Sequence, residues 1–311
     1  MRSYDWTREQ KHPHRVPAVP LTRRHGGASI IASPVSPREE HSPGCRRCGE
    51  ISSAETGGAS QEHSPEKACL TLLLPILFGF LFCSPLPAAT TDPFAERRGR
   101  LVAEIEQDIR ETRFFLGKDT LDPRVKEALL QVPRHRFVPA ALQDAAYENR
   151  PLPIGEGQTI SQPYIVAIMT DLLRLEPDDV VFELGTGSGY QAAILAQLVA
   201  QVYSVEILPV LAERAQRTLQ ELGYRNISVR LGDGYFGWPE HAPFDAILVT
   251  AASDHIPPPL VQQLKPGGRM ILPVGSRFLV QQLVLVEKSA TGEIRTQSLL
   301  PVNFVPLTGG H

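Results

Sequence analysis

Beyond Cys83 the chain contains no cysteine, and only four of its nine histidines follow that point. A disulfide framework and a Cys/His zinc cluster are therefore excluded there, and the composition reads as that of a reducing-compartment protein. No apolar run reaches the ~18 residues of a membrane-spanning helix. Neither sign of charge dominates: 31 Lys+Arg stand against 34 Asp+Glu, a net charge of −3, which gives no reason to expect nucleic acid as the main partner. The Gly-Lys-Ser/Thr of a phosphate-binding loop is missing too. What remains is an ordinary globular composition, 42% hydrophobic and 21% charged. Its 311 residues suit one large α/β domain with an appendage.

The appendage comes first. Residues 1–67 are net basic, broken by prolines from Pro13 to Pro65 and loosened by Gly26-Gly27 and Gly57-Gly58. Without a sustained apolar period they cannot bury enough surface to offset ordering entropy, and they are expected to be disordered or untranslated. Cys45 and Cys48 with His41 make half a zinc site, but no second pair follows at finger spacing, so no metal is expected. Residues 68–91 hold the apolar run Ala68–Cys83 after Lys67, with small residues at Ala88 and Ala89. Sixteen residues span only about 24 Å as a helix, and Pro75 interrupts them, so no stable membrane span is expected. The pattern resembles a secretory leader or a vestige of one. The expected location is the cytoplasm, with export or tethering through 68–89 as the alternative.

Order begins at Asp92. Leu101, Ile105, Ile109 and Phe115 form an apolar stripe on a helix over 95–116. Asp122-Pro123 opens a second helix, with Asp as cap and Pro at its first position, and Val125, Leu129 and Leu130 inward. Residues 147–163, rich in Pro and Gly, read as a long loop, and 164–175 as a helix. Then strands over 180–184, 202–207, 227–231, 244–250 and 269–274 alternate with helices over 190–199, 210–222 and 257–264. Two further strands, 280–287 and 296–302, close the chain. Near-continuous apolar strands joined by helices predict a doubly wound α/β fold, a mostly parallel seven-stranded Rossmann-like sheet with helices on both faces, over 92–311.

The sharpest local signal is Glu183-Leu184-Gly185-Thr186-Gly187-Ser188-Gly189-Tyr190, where a strand runs into Gly-x-Gly-x-Gly and a helix follows. Glycines there let a bulky ligand approach the backbone at the carboxyl edge of a sheet. Glu206, ending the next strand, can accept hydrogen bonds from both hydroxyls of a ribose. Asp233, in Gly232-Asp233-Gly234 after the third strand, is the matching acceptor for an adenine amino group. A dinucleotide fingerprint wants a third glycine where Tyr190 stands. S-adenosylmethionine carries no phosphate and needs no such glycine, so the spacing points to it.

These residues carry a resemblance. Ala146-Tyr147-Glu148-Asn149-Arg150-Pro151-Leu152-Pro153-Ile154-Gly155, followed by Gly157-Gln158-Thr159-Ile160-Ser161-Gln162-Pro163-Tyr164, resembles the substrate loop of the protein-L-isoaspartate O-methyltransferase family. The glycine loop, Gly232–Pro239, Phe244–Ala252, Leu264–Gly268 and the ending Phe304–Gly309 are similar to that family's other motifs. The resemblance covers roughly residues 95–311. It implies methyl transfer from S-adenosylmethionine, with no metal, to the free carboxylate of L-isoaspartyl residues in damaged proteins and peptides. The ester then closes to a succinimide, which can hydrolyse to normal aspartate. It further implies Ser161 as the active-site residue, with Thr159, Ile160, Gln162, Val249, Thr250 and Ala251 lining the substrate channel. Glu183, Gly185, Thr186, Gly187, Ser188, Gly189, Glu206, Asp233 and Gly234 are the implied cofactor residues. A monomer is expected.

The chemistry agrees with hydroxyls at such a site. A carboxylate with a pKa near ~4 is already ionised at neutral pH and needs no general base. Alignment is the remaining task, and Ser161 and Thr159 suit it as hydrogen-bond donors. No Gly-x-Ser-x-Gly elbow surrounds Ser161, so it is not read as a nucleophile. The plainer role for Thr159 and Ser161 is to cap the helix that starts near Tyr164. His135 reads as a surface residue beside a helix end, His255 as a solvated loop residue near the site edge, and Tyr235 and Trp238 as packing. Two rival functions are a methyltransferase for a small-molecule carboxylate and an inactive binder of damaged protein.

Overall fold

The computed structural model describes residues 92–276 and 280–310. All of them belong to the second of the chain's two units, Leu81–His311. The expectations for residues 1–67 and 68–91, with Cys45, Cys48 and His41, lie outside the described residues.

The centre is a seven-stranded sheet. Strands β3 (Val180–Leu184), β4 (Gln201–Glu206), β5 (Ile227–Leu231), β6 (Phe244–Val249) and β7 (Leu264–Val274) are parallel, and β8 (Gln281–Lys288) and β9 (Ile294–Val302) add antiparallel to β7. The spatial order is β5-β4-β3-β6-β7-β8-β9. Chain order therefore reverses at β3, which β4 flanks on one side and β6 on the other. A crevice opens outside the carboxyl ends of such strands. Val181 faces one apolar layer and Phe182 the other, as the strand period of two requires.

Helix α1 (Ala95–Leu116) packs against α2 (Pro123–Gln131) and α3 (Pro163–Leu172). Its buried stripe is Leu101, Ile105, Ile109 and Leu116; Phe115, expected in that stripe, is 53% exposed. Six residues beyond Ile109 the helix has turned about 600°, well off the core face, whereas seven bring it back. Ile105→Ala should destabilise the protein by about 2–5 kcal/mol in denaturant titrations, because this side chain is wholly buried. Helix α2 starts as expected: Pro123 occupies its first turn and the Asp122 carboxylate accepts from Arg124 N at 2.7 Å. Val125 and Leu129 are buried, and Leu130 is half-buried against the same core.

Four expectations need correction. The loop over 147–163 contains a hairpin, β1 (Leu152–Gly155) and β2 (Gln158–Ile160), whose strands are too short for a period to show between Pro and Gly. Helix α3 stops at Leu172, whose carbonyl accepts from Arg269 Nη1 at 3.0 Å, and Arg174 takes a left-handed φ of 53°. Helix α4 (Tyr190–Leu195) ends short of Val199, because Asn226 Nδ2 donates to the Ala196 and Val199 carbonyls. Strand β7 starts at Leu264 and carries Pro266-Gly267-Gly268 within it as a break in register against β6. Helices α5 (Pro209–Glu221) and α6 (Pro258–Gln263) complete the crossovers. Among the described residues no helix is long and apolar enough to cross a membrane.

Candidate functional site

The glycine loop leaves β3 with Gly185 at φ 93°, a conformation that L side chains avoid. A Cβ there would lie deep inside the radius of Thr250 Oγ1 at the end of β6. That hydroxyl is shared between the carbonyls of Leu184 and Gly185, at 2.9 and 2.7 Å. From the other side Gly185 N donates to Val205 O at 2.8 Å. The loop is thus gripped by both neighbouring strands. Glu206, at the end of β4, is 5% exposed, and its carboxylate accepts from Gly187 N at 2.7 Å and Leu208 N at 3.0 Å. A carboxylate has about four acceptor positions, so two remain for hydroxyls in the cavity that Glu206 lines.

That cavity is an open cleft at the carboxyl edge of the sheet, with about 790 Å³ of empty space when the adjoining solvent is counted. One wall is the glycine loop (Gly185, Thr186, Gly187, Ser188), with Glu206 and Gly234. The opposite wall is the end of the hairpin, Thr159, Ile160 and Ser161, and β6 contributes Thr250 and Ala251. Eleven residues drawn from five separate stretches of the sequence therefore meet at one opening. Gly234 is close-packed: a Cβ would stand 2.5 Å from Leu184 Cγ.

Five other expected residues do not line the cavity. Gly189 starts α4 and packs toward Ala215 and Leu219, and Val249 is buried in β6. Gln162 is the N-cap of α3, and its side-chain amide donates to Asn149 O at 3.0 Å, so it braces the loop. Asp233 accepts from Tyr235 N at 3.0 Å and from Gly310 N at 3.1 Å. Glu183 is the fifth of them. It shares the strand face of Val181, is wholly buried beneath the loop, and reaches the site only through Ser204. Ser204 Oγ donates to Glu183 Oε2 at 2.5 Å and lies 2.5 Å from Thr186 Oγ1, while Glu183 Oε1 has no hydrogen-bond partner. Burial pushes this carboxyl up to about 8, opposed by the Ser204 hydrogen bond and reinforced by Glu206. At neutral pH it is a neutral acid.

The hairpin is held in place by side chains that sequence reasoning left aside. Asn149 Nδ2 donates to Asp108 of α1 at 2.7 Å, and its Oδ1 accepts from Tyr164 N at 3.0 Å. It thereby does the capping expected of Thr159 and Ser161, both of which line the cavity. Arg214 of α5 donates to Ile154 O at 2.5 Å. Arg134, wholly buried, donates to Ser161 O at 2.8 Å. The basic run Arg134-His135-Arg136 reads as surface, and nothing in it marks its first member as interior. His135 is half-buried rather than wholly at the surface: Phe94 stacks on it at 4.1 Å, its Nδ1 lies 2.8 Å from Tyr147 Oη, and burial lowers its pKa.

The far wall was missed as a site element. Val305, Pro306, Leu307 and Thr308 line the cavity, tied to Ala252 by paired backbone bonds of 2.8 and 2.7 Å. The only signal for them was the terminal Phe304–Gly309 motif. At the rim Tyr235 Oη, His255 Nε2 and Asp254 form a hydrogen-bonded chain, 3.0 Å for the first link and 2.6 Å from His255 Nδ1 to Asp254. His255 is thus hydrogen-bonded at both ring nitrogens. Trp238 packs as expected, against Tyr203 and under Arg230. No group of three His, Cys, Asp or Glu side chains that could hold a metal occurs among the described residues.

Comparisons with known proteins agree with this geometry. The family model described as Protein-L-isoaspartate(D-aspartate) O-methyltransferase (PCMT) matches residues 108–311. Protein-L-isoaspartate O-methyltransferase 2 of Syntrophobacter fumaroxidans is 64% identical over 223 residues, covering 72% of this chain and 90% of the relative. The enzyme of the same name from Polaromonas sp. is 62% identical, covering 67% and 99%. A solved protein-L-isoaspartate O-methyltransferase superposes with a TM-score of 0.59 at 29% identity, over 68% of this chain and 66% of that one. On that match and those relatives, this chain belongs to the protein-L-isoaspartate O-methyltransferase family.

Proposed function

We propose that this protein transfers a methyl group from S-adenosylmethionine to the free carboxylate of L-isoaspartyl residues in damaged proteins, the first step of their repair. The observation that carries this reading is the meeting of the Thr159–Ser161 hairpin end and the glycine loop across one cavity. The residues present fit the methyl donor: the Gly185–Ser188 loop lines the cavity, and Glu206 beside it keeps carboxylate acceptor positions beyond its bonds to Gly187 N and Leu208 N. When bound, the donor supplies an electrophilic methyl group on a sulfonium that departs as a neutral thioether. Glu206 would hold the ribose hydroxyls, the Gly185–Ser188 backbone would take the amino-acid portion, and Gly234 in the cavity wall, with Asp233 next to it in the chain, would take the adenine.

The chain's own task is alignment. The acceptor carboxylate is ionised at neutral pH, so no residue has to take a proton from it. Ser161 and Thr159 would donate to it and turn one oxygen into line for the transfer. Ile160, Thr250 and Ala251 shape the channel and exclude water. Hydroxyl donors orient a carboxylate without stabilising its ground state as a paired cation at contact would. We read the enzyme as a cytoplasmic monomer whose methyltransferase domain spans 92–311. The methyl donor is made in the cytosol, and this stretch carries no cysteine that export would oxidise.

The test uses the full chain with labelled S-adenosylmethionine and two matched peptides, one with isoaspartate and one with normal aspartate. Base-labile label on the isoaspartyl peptide alone is expected. Equal labelling of both, or none with the donor still bound, rejects the assignment. Ser161→Ala should then lower kcat by up to about 100-fold, with S-adenosylhomocysteine affinity unchanged.

A further inference from the structure

Arg134 is a wholly buried side chain, yet no carboxylate lies within salt-bridge distance of it among the described residues. Buried arginines are ordinarily paired, because an unneutralised charge is hard to take out of water. Here Nε donates to Ala146 O at 2.9 Å and Nη2 to Ser161 O at 2.8 Å, and the guanidinium carbon sits 4.9 Å from the centre of the Tyr190 ring. Nη1 has no hydrogen-bond partner. Burial lowers its pKa to about 10, which still leaves it charged at neutral pH. Two of the groups it touches, Ser161 and Tyr190, line the cavity. The charge therefore stands one layer behind the wall that receives the acceptor.

We propose that Arg134 is a positioning and specificity residue: it fixes Ser161 through its carbonyl, and its unneutralised charge makes the site prefer an acceptor with a carboxylate over the same acceptor with an amide. The inference rests on the isoaspartyl reading of the site and explains a feature which that reading leaves open. Ser161 and Thr159 hydroxyls can donate to a carboxylate or to an amide oxygen with little distinction. A positive charge in a poorly solvated layer distinguishes them, since only the carboxylate carries the charge that it lacks. Because the guanidinium does not contact the acceptor, it biases the choice without clamping the nucleophilic oxygen. Its two carbonyl bonds, to Ala146 and Ser161, tie the start of the substrate loop to its end, so the same side chain sets where the Ser161 hydroxyl points.

The experiment compares the full-length wild type with Arg134→Gln and Arg134→Lys. Each is assayed for KM and kcat on an isoaspartyl peptide, and for inhibition by the matched isoasparaginyl peptide, whose side arm ends in an amide. S-adenosylhomocysteine binding and a thermal melt accompany each variant. In the wild type, KM for the acid is expected at least tenfold below the inhibition constant of the amide. Arg134→Gln should raise the acid KM at least tenfold and move the amide constant less than threefold, with S-adenosylhomocysteine affinity within twofold. Arg134→Lys should keep the acid-over-amide preference within threefold while losing kcat, because the charge remains and the two-carbonyl fork does not. The proposal is overturned if Arg134→Gln weakens acid and amide alike or leaves their ratio unchanged. Should Arg134→Gln fail to fold, loss of the preference in a folded Arg134→Lys overturns it equally. Absence of methylation by the wild type would reject the isoaspartyl assignment itself, before any variant is compared.

Discussion

Gly185→Ala is expected to abolish methyl transfer and S-adenosylhomocysteine binding together, with activity down by about 100-fold or more. Two physical effects act at once. The residue sits at φ 93°, where an alanine is strained by roughly 1–3 kcal/mol. The new methyl would also overlap Thr250 Oγ1, which is committed to the Leu184 and Gly185 carbonyls. Relief of the overlap moves either the loop or the end of β6, and those are two walls of the same cavity. The double variant Gly185→Ala/Thr250→Ala separates the causes. It removes the overlap and keeps the backbone strain, so it should regain part of the binding lost in the single variant. A single variant with normal calorimetric affinity for S-adenosylhomocysteine would show that the loop does not hold the cofactor.

Glu183→Gln should change how stability depends on pH more than it changes activity. In the folded protein this carboxyl is held at about 8 by burial, against an ordinary value of 4.5. The folded state therefore keeps a proton that the unfolded chain gives up. The stability this contributes is fully present below about 4.5, falls as pH rises through the interval, and is lost above about 8. A glutamine cannot ionise, so the variant lacks that decline. Denaturant titrations from pH 5 to 9 should show the variant gaining on the wild type as pH rises, by on the order of 4 kcal/mol at the alkaline end. A constant offset from the amide's unsatisfied N–H leaves the slope untouched. Parallel curves for the two proteins would mean that Glu183 is ionised in the fold. Ser204 and Thr186 remain hydrogen-bonded in either case, so cofactor affinity at pH 7 should stay within a few-fold.

Much of the fold was legible because parallel strands buried on both faces leave a nearly continuous apolar record; β3 was bounded to the residue from 180–184. Helix ends were less legible, since distant side chains set them: Asn226 takes carbonyls at the end of α4, and Arg269 takes one at the end of α3. The β1–β2 hairpin was hidden because three or four residues between Pro and Gly carry no measurable period. In the site, glycines and strand-end acids announce themselves by spacing, and the acceptor side was read from its likeness to a family. Glu183 was expected among the cofactor residues, and the period of two, counted from Val181, puts it on the face of that residue, beneath the loop. Arg134 gave no sign at all, because a buried cation at the head of a basic run has the same one-dimensional pattern as an exposed one.

The two-sided grip on the glycine loop has a consequence for how this sequence can drift. Gly185 is bonded to β4 through Val205, and Thr250 of β6 holds it from the opposite side, while Glu206 reaches back to Gly187. Each of those partners is in place only because three strands keep one register, with Leu184 opposite both Val205 and Val249. Substitutions on the outer helices leave that alignment alone. A single inserted or deleted residue in β4 does not, because it turns Glu206 to the other face of the sheet and carries its carboxylate away from the loop. Lineages of this protein should therefore accept length changes freely in the β8–β9 turn and scarcely at all between Val202 and Glu206.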